Sequence, residues 1–129
     1  EASSLLGSSL ASGDFNADGK TDLAVGAVYV SSNTGRVYLF YNDGSLPTTA
    51  ATADVIITGE ATGNLFGYSL VSGDFNADGK TDLAVGAYVY STSTGRVYIF
   101  ITEAKVVGES SDGAFIRGGL KFRGNLNLR

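Results

Sequence analysis

The chain has 129 residues, the size of one ordinary domain, and its 43% hydrophobic and 17% charged content describes a folded, core-forming protein rather than a disordered one. A net charge of -4 without a polybasic run argues against a nucleic-acid or anionic-membrane surface, and the absence of Cys and His removes disulfides, thiolate chemistry and the usual zinc or copper sites. No apolar run approaches the roughly 18 residues of a membrane span and no signal-peptide pattern opens the chain, so the expectation is a soluble protein without membrane insertion, any leader having preceded Glu1.

Beta-branched residues, seven Tyr, seven Phe and eighteen Gly against one Pro point to strands joined by tight turns, not to long amphipathic helices. A first strand is expected over residues 5–11. After an acidic loop, residues 23–30 (LAVGAVYV) form a second, and beyond the turn Ser31-Ser32-Asn33-Thr34-Gly35 residues 36–41 (RVYLFY) form a third. A Thr- and Ala-rich connection, 42–53, contains Pro47 and leads to a fourth strand at 54–58. The order then returns at 66–71, 83–90, 96–101 and 104–107, with a much shorter link before the last strand, which makes 42–53 a tolerated insertion. Residues 12–27, SGDFNADGKTDLAVGA, recur unchanged at 72–87, sixty positions on. Short strands apolar on both faces, repeated in fours at a fixed period, indicate an all-β chain of two four-stranded antiparallel propeller blades.

Within the second strand Leu23, Val25, Ala27 and Tyr29 share one face, while Ala24 and Gly26 keep the other low enough for a neighbouring sheet to approach closely. In the second unit Tyr88-Val89-Tyr90 replaces Val28-Tyr29-Val30, which under a period of two moves the tyrosines to the opposite face. These tyrosines read as packing residues with hydroxyls at the rim, with ligand stacking as the alternative.

The chemistry lies in Asp14-Phe15-Asn16-Ala17-Asp18-Gly19-Lys20-Thr21-Asp22 and its copy from Asp74 to Asp82. Oxygen-bearing side chains fall at loop positions one, three, five and nine, Gly sits at six, and position seven, Lys20 or Lys80, offers its carbonyl. Three carboxylates, an amide oxygen and a carbonyl suit calcium, which takes six to eight oxygens in flexible geometry; magnesium demands a stricter octahedron. Without a cation the carboxylates would repel one another and raise their own pKa values. An EF-hand is excluded, because position twelve is Val25 or Val85 and a strand follows. The competing possibility is a plain turn in which Asp, Asn and Gly cap backbone amides.

The runs Phe66-Gly67-Tyr68-Ser69-Leu70, Gly73-Asp74-Phe75-Asn76-Ala77-Asp78-Gly79, Asp82-Leu83-Ala84-Val85-Gly86-Ala87 and Gly95-Arg96-Val97-Tyr98-Ile99-Phe100 together resemble the FG-GAP repeat of integrin α-subunit propellers, over nearly all of both units. Leu6-Gly7 stands for Phe-Gly in the first unit, and Val28 and Tyr88 stand where the family's Gly-Ala-Pro ends; both departures touch packing and turn shape. The resemblance implies propeller blades with calcium in the loop between the first two strands. It assigns Asp14, Asn16, Asp18, Lys20 and Asp22, with Asp74, Asn76, Asp78, Lys80 and Asp82, as ligands of about one ion per repeat, two per chain.

Residues 1–60 are thus expected as one blade, 61–108 as a second, and 109–129 as a degenerate third-blade start or a strand exchanged with another copy. Gly108-Glu109 repeats Gly59-Glu60, but the Asp ligands do not return, and Arg117, Lys121, Arg123 and Arg129 make a basic, solvated strand edge. Two blades are too few to close a ring, so a homo-oligomer is expected to complete it. The expected function is a non-enzymatic, calcium-stabilised recognition or adhesion scaffold, extracellular or at the cell surface, with a protein ligand. The alternative is a propeller lectin whose Tyr29, Tyr41, Tyr88 or Tyr90 stacks on sugars. No catalytic residue is expected: the six loop Asp are accounted for as ligands, Glu60 and Glu109 read as lone solvated acids, and no His or Cys can serve as base or nucleophile.

Overall fold

Eight strands form two antiparallel meanders in a computed structural model that describes residues 3–46, 49–103 and the backbone of 120–126. The first sheet runs β1 (Leu6–Gly13), β2 (Asp22–Ala27), β3 (Arg36–Phe40) and β4 (Val55–Thr58); the second runs β5 (Ser69–Gly73), β6 (Asp82–Ala87), β7 (Arg96–Thr102) and β8 (Leu120–Leu126). Equivalent strands share a register, with Val25 opposite Tyr38 and Val85 opposite Tyr98. Short β-branched and aromatic segments separated by turn residues leave sequential hairpins as the available pairing, hence the spatial order 1-2-3-4 in both sheets. Among the described residues no helix is long and apolar enough to cross a membrane, and the two sheets do not close a ring.

The sheets stack as adjacent blades, with β1 lying against β5. Ala24, Val37 and Leu39 of the first sheet meet Leu83, Val85, Ala87, Tyr98 and Phe100 of the second in one core, with Phe15 and Phe66 wedged between them. Phe66 meets Tyr98 and Phe100 edge-on, with ring centroids 5.1 and 6.4 Å away. Each such buried side chain contributes roughly 1.5–3 kcal/mol from the apolar area it removes from water. The low face expected at Ala24 and Gly26 is where the blades come together: a Cβ on Gly26 would collide with the Gly67 carbonyl, and one on Gly35 with the Phe66 backbone.

The second strand of each unit is shorter than expected. β2 and β6 end at Ala27 and Ala87 because Ser31, Ser32 and Asn33, and likewise Ser91, Thr92 and Ser93, all take positive φ, and a left-handed turn replaces the extended chain. Side-chain alternation therefore stops before the tyrosines. Val28 and Val30 are both buried while Tyr29 and Tyr88 are exposed, and Tyr90 offers its ring to the Arg96 guanidinium at 3.6 Å.

The fourth strand of the second sheet is a further difference. Residues 104–107, where it is expected, lie outside the described residues; the strand beside β7 is β8, paired from Val97 with Leu126 to Thr102 with Leu120. A stretch read as the start of a third blade, or as a strand lent to another copy, thus completes the second sheet of its own chain. Residues 103–119 link β7 to β8, a longer connection than 41–54, so the first unit has no special insertion. Nor is that connection passive: Ala50 and Ala53 pack against Val25, Ala27, Val30, Tyr38 and Phe40 on the outward face of the first sheet.

Candidate metal centre

Each acidic loop joins the first two strands of its sheet, leaving after Gly13 or Gly73 and returning at Asp22 or Asp82. Ala17 and Ala77 hold left-handed φ of 58° and 60°, and Gly19 and Gly79 hold 86° and 85°. Left-handed residues at positions four and six fold the chain back so that its amides face its own side-chain oxygens, in the manner of a backbone nest. Asp14 accepts from the Asp18 N–H at 3.0 Å and the Gly19 N–H at 2.8 Å. Asn16 accepts from the Asp18 N–H at 3.1 Å, and Asp18 from the Lys20 N–H at 2.8 Å. In the second loop Asp74, Asn76 and Asp78 repeat these bonds at 3.0, 2.7, 3.2 and 2.9 Å, and Lys80 adds an ion pair from its Nζ to Asp78 at 3.2 Å.

Position nine behaves differently. Asp22 and Asp82 are fully buried. One carboxylate oxygen of Asp22 accepts from the Phe15 N–H at 2.8 Å and the other from the Asn42 N–H at 2.8 Å; Asp82 does the same with Phe75 at 2.9 Å and Thr102 at 2.9 Å. Each thereby ties the start of its loop to the far end of the third strand. Sequence reasoning took this Asp for a ligand alone. The available signal was an acid opening a strand whose remaining residues are all apolar or small.

Burial pushes the Asp22 carboxyl above the usual carboxylate range, and the negative charges of Asp18 and Asp14 add to it, against two lowering backbone hydrogen bonds. Exposed Asp78 is shifted the other way, chiefly by the Lys80 backbone N–H and then by the Lys80 ammonium. Among the described residues no three acidic side chains stand close enough to form a preassembled metal cluster. The donor chemistry nevertheless fits a hard cation. Each loop supplies three carboxylates, an amide oxygen and the Lys20 or Lys80 carbonyl, and every carboxylate oxygen engaged by one N–H keeps a second lone pair.

Glu60 is not a lone solvated acid. It accepts from Arg96 at 2.7 Å and from the Tyr98 hydroxyl at 3.0 Å, joining the connection after β4 to β7 of the next blade. Burial, and then this hydrogen bond to a carboxylate, push the Tyr98 phenol up to about 12. Glu109 lies outside the described residues. Of the tyrosines proposed for sugar stacking, Tyr41 packs against the core and Tyr90 under Arg96, while Tyr29 and Tyr88 are exposed. Tyr88 pairs with Tyr68 at 4.3 Å.

Residues 6–40 and 66–100 each match the family model described as FG-GAP repeat. The chain is 31% identical to integrin alpha-PS2 of Drosophila melanogaster over 134 residues, covering 97% of the chain and 9% of that protein. It is 36% identical to integrin alpha-7 of Rattus norvegicus over 138 residues, 93% of the chain and 12% of the relative. Phosphatidylinositol-glycan-specific phospholipase D of Bos taurus is 41% identical over 108 residues, 74% of the chain and 13% of that enzyme. The chain thus spans about a tenth of the length of the curated relatives it matches.

Proposed function

The chain belongs to the FG-GAP repeat family, and from that premise we propose that it is a calcium-binding propeller module, with one structural ion in each loop, serving as a recognition or adhesion scaffold. The observation that carries this is the duplication of one oxygen set, Asp14, Asn16, Asp18, Lys20 and Asp22 against Asp74, Asn76, Asp78, Lys80 and Asp82, held by the same amide bonds although Phe15 of the first loop is buried between the blades and Phe75 of the second is exposed.

Bound calcium supplies charge neutralisation for the acids. The chain's own residues do the rest: Asp22 and Asp82 fix the strand ends, the left-handed alanines and glycines fold the loop, and the amide bonds to Asp14 and Asp18, with their copies, orient the exposed carboxylates. Extracellular modules work with sites as weak as roughly 10⁻⁴ to 10⁻³ M, which favours a secreted or cell-surface setting. We assign no catalytic role, and we expect the ring to be completed by further copies of the chain.

Thermal melting in calcium and in excess chelator tests the ion. At about a hundred times the dissociation constant, each bound calcium stabilises the fold by about 2.7 kcal/mol, and the two together by about twice that. The double variant Asp18→Ala, Asp78→Ala should lose that increment. Identical melting of the parent protein with and without chelator would overturn the calcium proposal.

A glycan-binding function is the second reading. It draws on the exposed Tyr68–Tyr88 pair. A glycan array probed with the calcium-loaded protein separates the two readings.

A further inference from the structure

The two acidic loops touch. Residues 12–27 and 72–87 are identical, so each loop brings the same oxygen donors, and any difference between them comes from what surrounds them. Thr81, at position eight of the second loop, lies on the entry to the first: a Cβ on Gly13 would collide with the Thr81 methyl. Beside it the Ser72 hydroxyl donates to the Ser12 carbonyl at 2.7 Å.

Thr102, the last residue of β7, is fully buried where the loops meet. Its N–H donates to Asp82 at 2.9 Å. Its hydroxyl has one proton and two carbonyl acceptors, Thr81 of the second loop at 2.5 Å and Phe15 of the first at 3.3 Å. The Phe15 N–H in turn donates to Asp22 at 2.8 Å. From the position-nine carboxylate of one loop to that of the other there is thus a continuous run of buried groups, Asp22, Phe15, Thr102 and Asp82. In the first unit Asn42 stands where Thr102 stands in the second. Its N–H makes the equivalent bond to Asp22, but its side chain accepts from the Gly44 N–H at 3.2 Å. The hydroxyl link is therefore a property of Thr102 and not of the repeat.

We propose that Thr102 is a positioning residue through which the two loops take up one arrangement together, so that filling either with calcium raises the affinity of the other. This rests on the proposal of one ion per loop and goes beyond it by making the two sites one unit. The coupling is positive because ordering dominates it. Each loop holds an alanine left-handed, Ala17 at 58° and Ala77 at 60°, a conformation that an L side chain resists. A loop must therefore be held in the form that presents its oxygens. An ion in one loop, by fixing Asp82 and Thr102 or Asp22 and Phe15, holds part of the other in advance. Charge acts the opposite way, since a filled loop is less negative than an empty one. That effect passes between exposed carboxylates and is damped by salt, whereas the contact at Thr102 is buried.

Calorimetric titration of the full chain with calcium in about 0.15 M salt tests it. The parent gives the overall constant for two ions, Asp78→Ala leaves the first loop to be titrated alone, and Asp18→Ala leaves the second. The overall constant should exceed the product of the two single-loop constants by about 5- to 150-fold, the usual range for coupled sites. Thr102→Val keeps the N–H and the shape but loses the hydroxyl; measured in the same three backgrounds, it should bring that factor to about one, and Thr102→Ser should restore it. Because the single-loop constants are taken with the same substitution in place, a general loss of stability does not move the factor. Should Thr102→Val lose its circular dichroism signature, Thr81→Ala, which removes the methyl against Gly13, replaces it and should lower the factor. A factor of one in the parent, or one that the folded threonine variant leaves unchanged, overturns the coupling while the calcium proposal stands; a folded parent that takes up no calcium removes both.

Discussion

Removing the carboxylate at loop position nine should cost more than removing the one at position five, and should do so in the absence of calcium. Asp82→Ala leaves the N–H groups of Phe75 and Thr102 without their acceptor, in a place where Asp82 is fully buried. Stranding a buried donor costs about 1–3 kcal/mol, so the pair costs about 2–6 kcal/mol, a large part of the roughly 5–15 kcal/mol that holds such a domain folded. At about 3–5 °C per kcal/mol the melting temperature should fall by about 6–30 °C. Asp78 is exposed and its amide partner Lys80 can turn to water, so Asp78→Ala in chelator should cost less than about 1 kcal/mol. Denaturant unfolding of both variants in excess chelator measures the difference. Equal losses would refute the assignment of position nine as the clasp between loop and third strand.

Phe66→Ala should cost about 3–5 kcal/mol, because the ring is enclosed by Tyr98, Phe100 and the glycines at 35 and 59, and little around it can collapse; equilibrium unfolding reads this directly. Tyr98 should ionise near pH 12 in an ultraviolet titration. Its folded pKa lies above the unfolded value of 10.0, so the stability it contributes is fully present below pH 10 and is lost as pH rises towards 12. Glu60→Gln removes the carboxylate that the phenol donates to and should bring that ionisation back towards 10, while the exposed Glu60–Arg96 pair itself is worth at most about 1 kcal/mol.

Much of the fold was legible in the residues, and for identifiable reasons. Leu-Ala-Val-Gly-Ala at 23–27 and 83–87 can only be a strand pressed on both sides, and the small face at Ala24 and Gly26 does receive the neighbouring blade. The strand end was misread because Val28-Tyr29-Val30 alternates well enough to continue, and nothing in Ser31-Ser32-Asn33 announces three successive left-handed residues. The pairing of β8 with β7 was not foreseen, because residues 103–119 separate the two strands. In the loop, the residue types and spacing of the oxygen donors were plain. The second duty of Asp22 and Asp82 was hidden, because their partners Asn42 and Thr102 lie twenty residues on and offer backbone, which sequence does not distinguish. Glu60 was taken for solvated for the same reason: its partners, Arg96 and Tyr98, belong to the next blade.

Calorimetric titration of the chelator-stripped protein with calcium is the most direct test of the proposed ion in each repeat. Two ions bound per chain, falling to one with Asp18→Ala and to none when Asp78→Ala is added, is the expected result. No calcium-dependent heat at millimolar concentrations, from a protein whose circular dichroism shows it to be folded, would contradict it.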